Sequence, residues 1–435
     1  MPDFSPSAPQ RVAVIGSGIG GLAAAHALRG RARVTLYEAD ARFGGHAQTV
    51  DLTLDGVTHG VDTGFLVFNH RTYPGLVRLF AQLGIETAES EMSFSVQVPG
   101  AFGAQPLEWS GTNLAGVFCQ KANLSRPRFW RMLRDLLRFN ALAKELVTQS
   151  DLSQSLGEFL AEHRFSEELR DWYLLPMLGC IWSCPVGEML RFPAATLLRF
   201  CHNHGLLQIA NRPQWSTVTG GSRRYVDRIV AGLDDARSST PVLKVWREGA
   251  GGARVATQGS VEHFDRVVFA THPGQALALL GDADAHERNV LAAFRYQRNR
   301  AVLHTDPSVL PRNRRAWAAW NYEGGGESGG VCLHYLIDRL QPLPWRRPVI
   351  VSLNPVRAID PRTIAGEYDY DHPVFTQRAV EAQTRLPALQ GRADTWYCGA
   401  WTGYGFHEDG LASGQAATAG VLASLGRPAL ERVAA

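Results

Sequence analysis

Arg11–Ile15 is a continuous aliphatic run with no polar alternation, which predicts a short strand buried on both faces. Glycines crowd positions 16–21, and Leu22–Leu28 then reads as an alanine-rich helix. A second apolar run, Arg33–Tyr37, predicts another buried strand and ends on Glu38. Farther along, Arg126–Leu146, Leu152–His163 and Glu167–Met177 repeat apolar residues at helical spacing, and Val349–Asn354 reads as a strand. In the Glu323–Gly330 region, Gly324–Gly330, with five glycines, predicts a loop. No internal repeat is apparent. No apolar run reaches the roughly 18 residues that span a bilayer, and MPDFSPSAPQ reads as a short loose tail without the charge and hydropathy order of a leader.

The glycines at 16, 18 and 21 form G-x-G-x-x-G, and Glu38 lies 22 positions after the first. Each element of that spacing has a mechanical reason. Gly16 permits the tight turn, Gly18 lets backbone approach a pyrophosphate, and Gly21 lets helix and strand pack closely. The helix N-terminus then faces the phosphates and Glu38 faces a ribose. Strand, turn, helix and acid together predict a dinucleotide site formed by Gly16, Ser17, Gly18, Ile19, Gly21, Glu38 and the adjoining Ala39. A further cluster, Arg42, Gly44, Gly45 and His46, comes where a nicotinamide-only fold would begin its next helix. With Thr63, Gly64 and Phe65 it predicts contact along a longer cofactor.

Composition changes this picture in three ways. A length of 435 residues suggests two or three packed units. The balance of 44 basic against 41 acidic residues, +3, gives no electrostatic footprint for nucleic acid. Only three of the basic residues are lysines (Lys121, Lys144, Lys244), which removes most candidates for a catalytic lysine. Six cysteines in so long a chain predict free or buried thiols in a reducing, cytoplasmic setting, and Cys180 and Cys184 lack the partners of a metal site.

GSGIGGLAAAHAL, YEADARFGGH and VDTGFLVFN resemble the flavin-containing amine oxidase superfamily, and FDRVVFATHP and YCGAWTGYGFHEDGLASGQAATAG resemble its later markers in order. The resemblance implies an α/β fold: a Rossmann-like FAD-binding domain, a parallel sheet with helices, interleaved with a mixed α+β substrate domain. The expected division is 1–80, 212–285 and 392–435 for FAD binding, and 81–211 and 286–391 for substrate. It also implies FAD contacts from Val242, Gly399, Ala400, Gly410 and Leu411. The motifs TGFLVFN, PMLGCIWSCP, VTGGSRRYV and YDHPVF narrow the resemblance to a bacterial subgroup of predicted NAD/FAD-binding proteins associated with cyclopropane-fatty-acyl-phospholipid-synthase-like methyltransferases. That subgroup implies a lipid acyl or other small-molecule substrate and a functional link to a lipid methyltransferase. One departure concerns mechanism: many superfamily enzymes keep a lysine near the flavin, and the matching strand, Tyr296–Leu303, has Arg298 and Arg300 instead.

For acid–base chemistry the sequence points to His407, oriented by Glu408 or Asp409, ahead of the helix expected to aim at the flavin. The competing reading has His407 capping that helix or touching the flavin phosphate. His46 is expected at the pyrophosphate, and His202, His204 and His272 are weaker candidates. Trp182, Trp215, Trp317, Trp320, Trp401 and Tyr404 are the aromatic residues expected to wall the flavin or pack the core. Arg126–Leu146 has two readings: an ordinary packed helix with solvated arginines, or a basic helix in peripheral contact with the inner membrane face. The expectation is an FAD-dependent oxidoreductase desaturating an activated, methyl-branched or cyclopropane-related acyl chain. The alternatives are an amine or amino-acid oxidase, a double-bond isomerase, and a non-catalytic FAD-bound partner of a methyltransferase.

Overall fold

The computed structural model describes residues 9–147, 154–183, 186–208, 212–249, 251–325 and 331–425. Its organising layer is a five-stranded, all-parallel sheet in the spatial order Asp235–Arg237, Arg33–Tyr37, Arg11–Ile15, Arg266–Phe269, Thr395–Tyr397. Alternate residues explain the continuous apolar runs. Val12, Val14, Leu36 and Val268 face a helical layer made by Ile19–Leu28 and His407–Ser424. Ala13, Ile15, Tyr37, Val267 and Phe269 face the antiparallel sheet Lys244–Arg247, Ala253–Ala256, Val261–Phe264. Both faces are buried, so neither can alternate with polar residues.

The first helix begins at Ile19, earlier than expected, because Gly20 and Gly21 belong to its first turn. Gly16 adopts φ +100°, a backbone conformation that favours glycine, and its N–H donates to the Tyr37 carbonyl. Where the first and last helices cross, a β-carbon on Gly414 would collide with the carbonyl of Gly20.

A second, seven-stranded mixed sheet runs Ile364–Val374, Arg295–His304, Ile350–Leu353, Cys332–Leu336, Trp320–Glu323, Phe94–Phe102, Gln105–Ser110. Glu323 ends a strand and the irregular Gly324 and Gly325 follow it, as expected; residues 326–330 of the expected loop lie outside the described residues, as does Cys184. Helices at Pro127–Leu146, Leu156–Glu162, Leu175–Trp182 and Ala194–Asn203 pack beside this sheet. The second starts at Leu156 because Ser155 and Glu158 form a reciprocal cap. The stretch expected to end at Met177 continues to Trp182 through a π turn at Arg170–Leu174. The five described cysteines are free and buried. No described helix is long and apolar enough to cross a membrane.

One buried carboxylate joins three distant stretches of chain. Asp62 accepts hydrogen bonds from Thr49 Oγ1 (2.5 Å), Ser222 N (2.9 Å), Ser222 Oγ (2.8 Å) and Gln341 Nε2 (2.8 Å). Its own N–H donates to Gln341 Oε1 at 2.9 Å. Asp62→Ala strands these donors in the interior, and is expected to cost about 3–5 kcal/mol. Urea denaturation of the purified variant checks this, and an unshifted midpoint contradicts it.

Candidate functional site

The C-terminal edges of the parallel strands open onto a cavity of about 710 Å³ that continues to the seven-stranded sheet. Strand ends are where open α/β sheets bind ligands, since the loops and helix N-termini converge there. Of the residues expected to touch the cofactor, Gly16, Ser17, Gly18 and Ile19 line this cavity from the first turn. Glu38, Ala39, Arg42, Gly45 and His46 line it from the second strand onward. Gly64, Phe65, Val242, Gly399 and Ala400 complete that end. The structure places Gly21, Gly44, Thr63, Gly410 and Leu411 behind the wall. Gly21 packs on the Gly16 carbonyl, Gly410 on Ile19, and Leu411 against Gly75, while Thr63 Oγ1 bonds the Tyr370 hydroxyl at 2.6 Å.

Glu38 is fixed by the turn it follows: Ser17 N donates to one oxygen at 2.9 Å and Asp40 N to the other at 3.0 Å. Arg42 is the cation at this end, and its Nη1 is buried without a hydrogen-bond partner among the described residues. A buried unpaired guanidinium nitrogen beside a glycine turn suits a diphosphate, whose charge would supply the missing partner.

His407 begins the last helix and faces the cavity. Its ring stacks on Phe65 (centroids 3.8 Å apart, 14° between planes), and its Nε2 is hydrogen-bonded to the Tyr225 hydroxyl at 3.0 Å. The expected orienting carboxylates are used otherwise. Glu408 accepts from Gly75 N (2.6 Å) and Leu76 N (2.9 Å), capping the neighbouring helix Pro74–Leu83. Asp409 accepts from Phe406 N at 2.9 Å, capping its own helix. Tyr225 is thus the orienting group, and the sequence reading missed it; it sits in the VTGGSRRYV motif.

Four further histidines line the same cavity. His46 lies 5.2 Å, centroid to centroid, from His372 and 5.1 Å from Tyr370. His272 stacks on Tyr296 at 4.0 Å, and Asn299 Nδ2 bonds His372 Nδ1 at 2.8 Å. Burial, with neighbouring histidines second, holds His46 well below its ordinary pKa. Burial likewise brings His372 down to about 4 and His407 down to about 3. These imidazoles are neutral at neutral pH. His204 also lines the cavity, whereas His202 is exposed.

Of the six singled-out aromatic residues, Trp215, Trp320 and Trp401 line the cavity. Trp182 is packed with its Nε1 on the Tyr404 carbonyl, and Trp317 bonds Pro311 O in a separate cluster. Phe200, Tyr335, Tyr73 and Phe406 line the wall and were not anticipated. The strand Arg295–His304 presents Tyr296 to the cavity; Arg298 and Arg300 pair across strands with Asp369 and Glu367 at exposed positions. Elsewhere, Glu323, Cys332 and His334 gather potential metal-ligating atoms within 4.8 Å of one another. Arg357 ion-pairs Glu323 at 2.6 Å and Ser352 bonds His334 at 2.7 Å, so hydrogen bonds already occupy that group.

The flavin containing amine oxidoreductase family model matches residues 19–296. The chain belongs to this family. Its members are FAD-dependent oxidoreductases, and the glycine turn, Glu38 and Arg42 would hold that cofactor here. The chain is 28% identical over 351 residues to a carotenoid phi-ring synthase of Streptomyces griseus, covering 71% of this chain and 63% of that protein. It is 26% identical over 180 residues to protoporphyrinogen oxidase 2 of Arabidopsis thaliana, covering 39% of this chain and 32% of that one. The fold is shared with a CLA-producing fatty acid isomerase from P. acnes (TM-score 0.67, 16% identity, 94% and 98% of the chains covered). It is shared equally with cyclohexylamine oxidase from Brevibacterium oxydans IH-35A (TM-score 0.68, 18% identity, 97% and 100% covered).

Two predictions follow from this geometry. Arg42→Ala removes the cation without disturbing the glycine turn, so the purified variant is expected to retain less flavin, read from its visible absorbance per protein. Undiminished flavin contradicts the assignment of Arg42. The second concerns pH. His407 at about 3, and His204, His304 and His372 at about 4, all lowered first by burial, take up protons at about pH 6.5 only when the chain unfolds. Their contribution is full above about pH 6.5 and is lost as pH falls toward 4. Asp62 and Asp409, pushed up to about 6 by burial, act oppositely: their contribution is present in acid and lost as pH rises through 6. Four groups outweigh two, so urea midpoints should fall between about pH 6.5 and 4.5; a rise over that window contradicts the balance.

Proposed function

We propose that the chain is an FAD-dependent oxidoreductase that takes hydrogen from an apolar, lipid-like substrate, an activated methyl-branched or cyclopropane-related acyl chain. The observation carrying this reading is the chemistry of the cavity's far end. Met92, Cys180, Phe200, Trp215, Trp320 and Tyr335 wall it, and the described lining residues from segments 92–215 and 320–335 include no carboxylate, lysine or arginine. An ammonium substrate would be desolvated there without a counter-charge, which is costly. An acyl chain loses nothing by entering and gains the burial of its methylenes. The carboxylates that do line the cavity are Glu38 and Asp40, at the glycine turn, and Asp369 and Asp371, on the outermost strand of the second sheet.

Bound FAD supplies a two-electron acceptor for hydride. The protein's part is to hold the substrate carbon still and dry, which the aromatic wall does by packing. His407, too weak a base to carry a proton near neutrality, serves as a neutral hydrogen-bonding wall that Tyr225 and Phe65 hold in place. The missing lysine on the strand bearing Tyr296 also favours a substrate other than an amine. The likeness to a carotenoid enzyme supports an apolar substrate, and a lipid methyltransferase would supply one carrying activated hydrogens.

Fatty-acid mass spectrometry of a strain lacking this gene, with its neighbours intact, tests the proposal. The expected result is loss of an acyl species lighter than its precursor by one hydrogen pair. An unchanged acyl profile overturns it, as does peroxide formed by the FAD-loaded protein from simple amines and not from lipids. A product of unchanged mass would make the reaction an isomerisation.

A further inference from the structure

Large apolar side chains are exposed at few places, and four of them fall within one stretch: Leu114 (77% exposed), Leu124 (56%), Trp130 (47%) and Leu137 (56%). They are the remainder of an apolar supply that the interior has mostly used. Phe129, Met132, Phe139 and Ala143 are fully buried, and Leu133 and Leu136 are packed against the core. Trp130 leans on Phe118, with centroids 5.5 Å apart, and donates its Nε1 hydrogen to the Leu124 carbonyl at 2.9 Å. This holds the tryptophan beside the short Lys121–Ser125 turn instead of leaving it free.

The exposed charged residues of this stretch are basic up to Lys144; exposed Glu145 follows it, and exposed Glu167 lies on the short helix packed alongside. Between Gly111 and Lys144 the exposed charged residues are Lys121, Arg128, Arg131, Arg134, Arg138 and Lys144. The acidic residue of that interval, Asp135, is buried; Glu168, also buried, is shared by Arg128 (2.6 Å) and Arg131 (3.6 Å). The turn Arg314–Ala316 packs against the Leu114–Val117 helix and adds exposed Arg314 and Arg315 to the same rim. Arg128, Arg131 and Arg134 are partly matched by the buried Glu168 and Asp135, and the exposed leucines and tryptophan with this rim of cations match the chemistry of a bilayer surface with anionic headgroups.

We propose that this face, centred on Leu114, Leu124 and Trp130, docks the protein on an anionic lipid surface. The leucines and Trp130 enter the headgroup–acyl boundary while the arginines and lysines meet phosphates. The helix Pro127–Leu146 contributes its edge only, since its main apolar stripe is committed to the core. Docking is independent of turnover, so its test is separate from that of the proposed reaction.

Flotation of the FAD-loaded protein with vesicles of phosphatidylcholine alone or mixed with phosphatidylglycerol is the experiment. Retention is expected on the anionic vesicles only, and is expected to weaken with salt. Leu114→Asp with Leu124→Asp, at exposed sites whose loss leaves the core intact, should lower retention about tenfold or more. Leu243→Asp, equally exposed on another part of the fold, should leave it unchanged. Equal retention on both vesicle types overturns the proposal, as do patch variants that bind like the parent. It is also overturned if sedimentation without lipid shows a dimer that the patch variants dissolve, because a second copy then covers this face.

Discussion

Everything at the reactive end of the cavity hangs on a carboxylate that never reaches it. Asp62 collects donors from Thr49, Ser222 and Gln341, so it fixes the spatial relation of segments far apart in sequence. Just after it, Gly64 and Phe65 line the cavity and present the ring on which His407 stacks. The residue it holds at Ser222 precedes the helix Arg223–Val230, which carries Tyr225 to the other edge of His407. Both contacts that orient His407 therefore share one anchor. Burial pushes Asp62 up to about 6, a cost that its ring of donors opposes without removing. Interiors tolerate such a group when its hydrogen bonds are satisfied.

The cavity has two chemical halves because two sheets build it. The parallel sheet ends in glycine turns, whose exposed amides, together with Glu38 and Arg42, suit a charged, ribose-bearing cofactor. The antiparallel portion of the second sheet offers side chains, which alternate across it. Trp320 and Tyr335, paired across neighbouring strands, face the cavity; the adjacent His334 and the Ser352 it bonds lie in a buried polar network that does not line it. Changes at positions such as 320 and 335 can thus reshape the substrate end while leaving the cofactor end untouched.

What was legible in the sequence was local. A strand, a glycine turn, a helix and an acid within 28 residues of chain leave little freedom, so their arrangement follows from spacing and sterics. Misreadings came where sequence neighbours were taken for spatial partners. Histidine and acids adjacent at 407–409 suggested that Glu408 or Asp409 orients His407, yet successive helical residues point in different directions, and a helix's first turn has N–H groups of its own to satisfy. Asp409 serves that need and Glu408 serves the next helix. Tyr225, the true partner of His407, is 182 positions away and carries no local sign of the contact. Aromatic residues were similarly ambiguous: Trp215 and Trp182 look alike in sequence, and only packing decides which one meets the cavity.

The basic helix illustrates the same limit in another way. The helical spacing of Phe129, Trp130, Leu133, Leu136 and Leu137 implies one hydrophobic face, but the face that is buried centres on Phe129, Met132 and Phe139, with Leu133 and Leu136 half-buried beside it and Trp130 and Leu137 left exposed. The surface remaining for a partner is a composite of Trp130 and Leu137 with Leu114 and Leu124 from the preceding turns. Periodicity can find the first face because it repeats within one element. It cannot find the second, because three elements contribute to it and the arginines that rim it look the same whether they solvate the protein or meet a lipid. The distinguishing quantity is how much apolar surface is left exposed among them, and four large side chains within 24 residues, each at least 47% exposed, exceed what solvation requires.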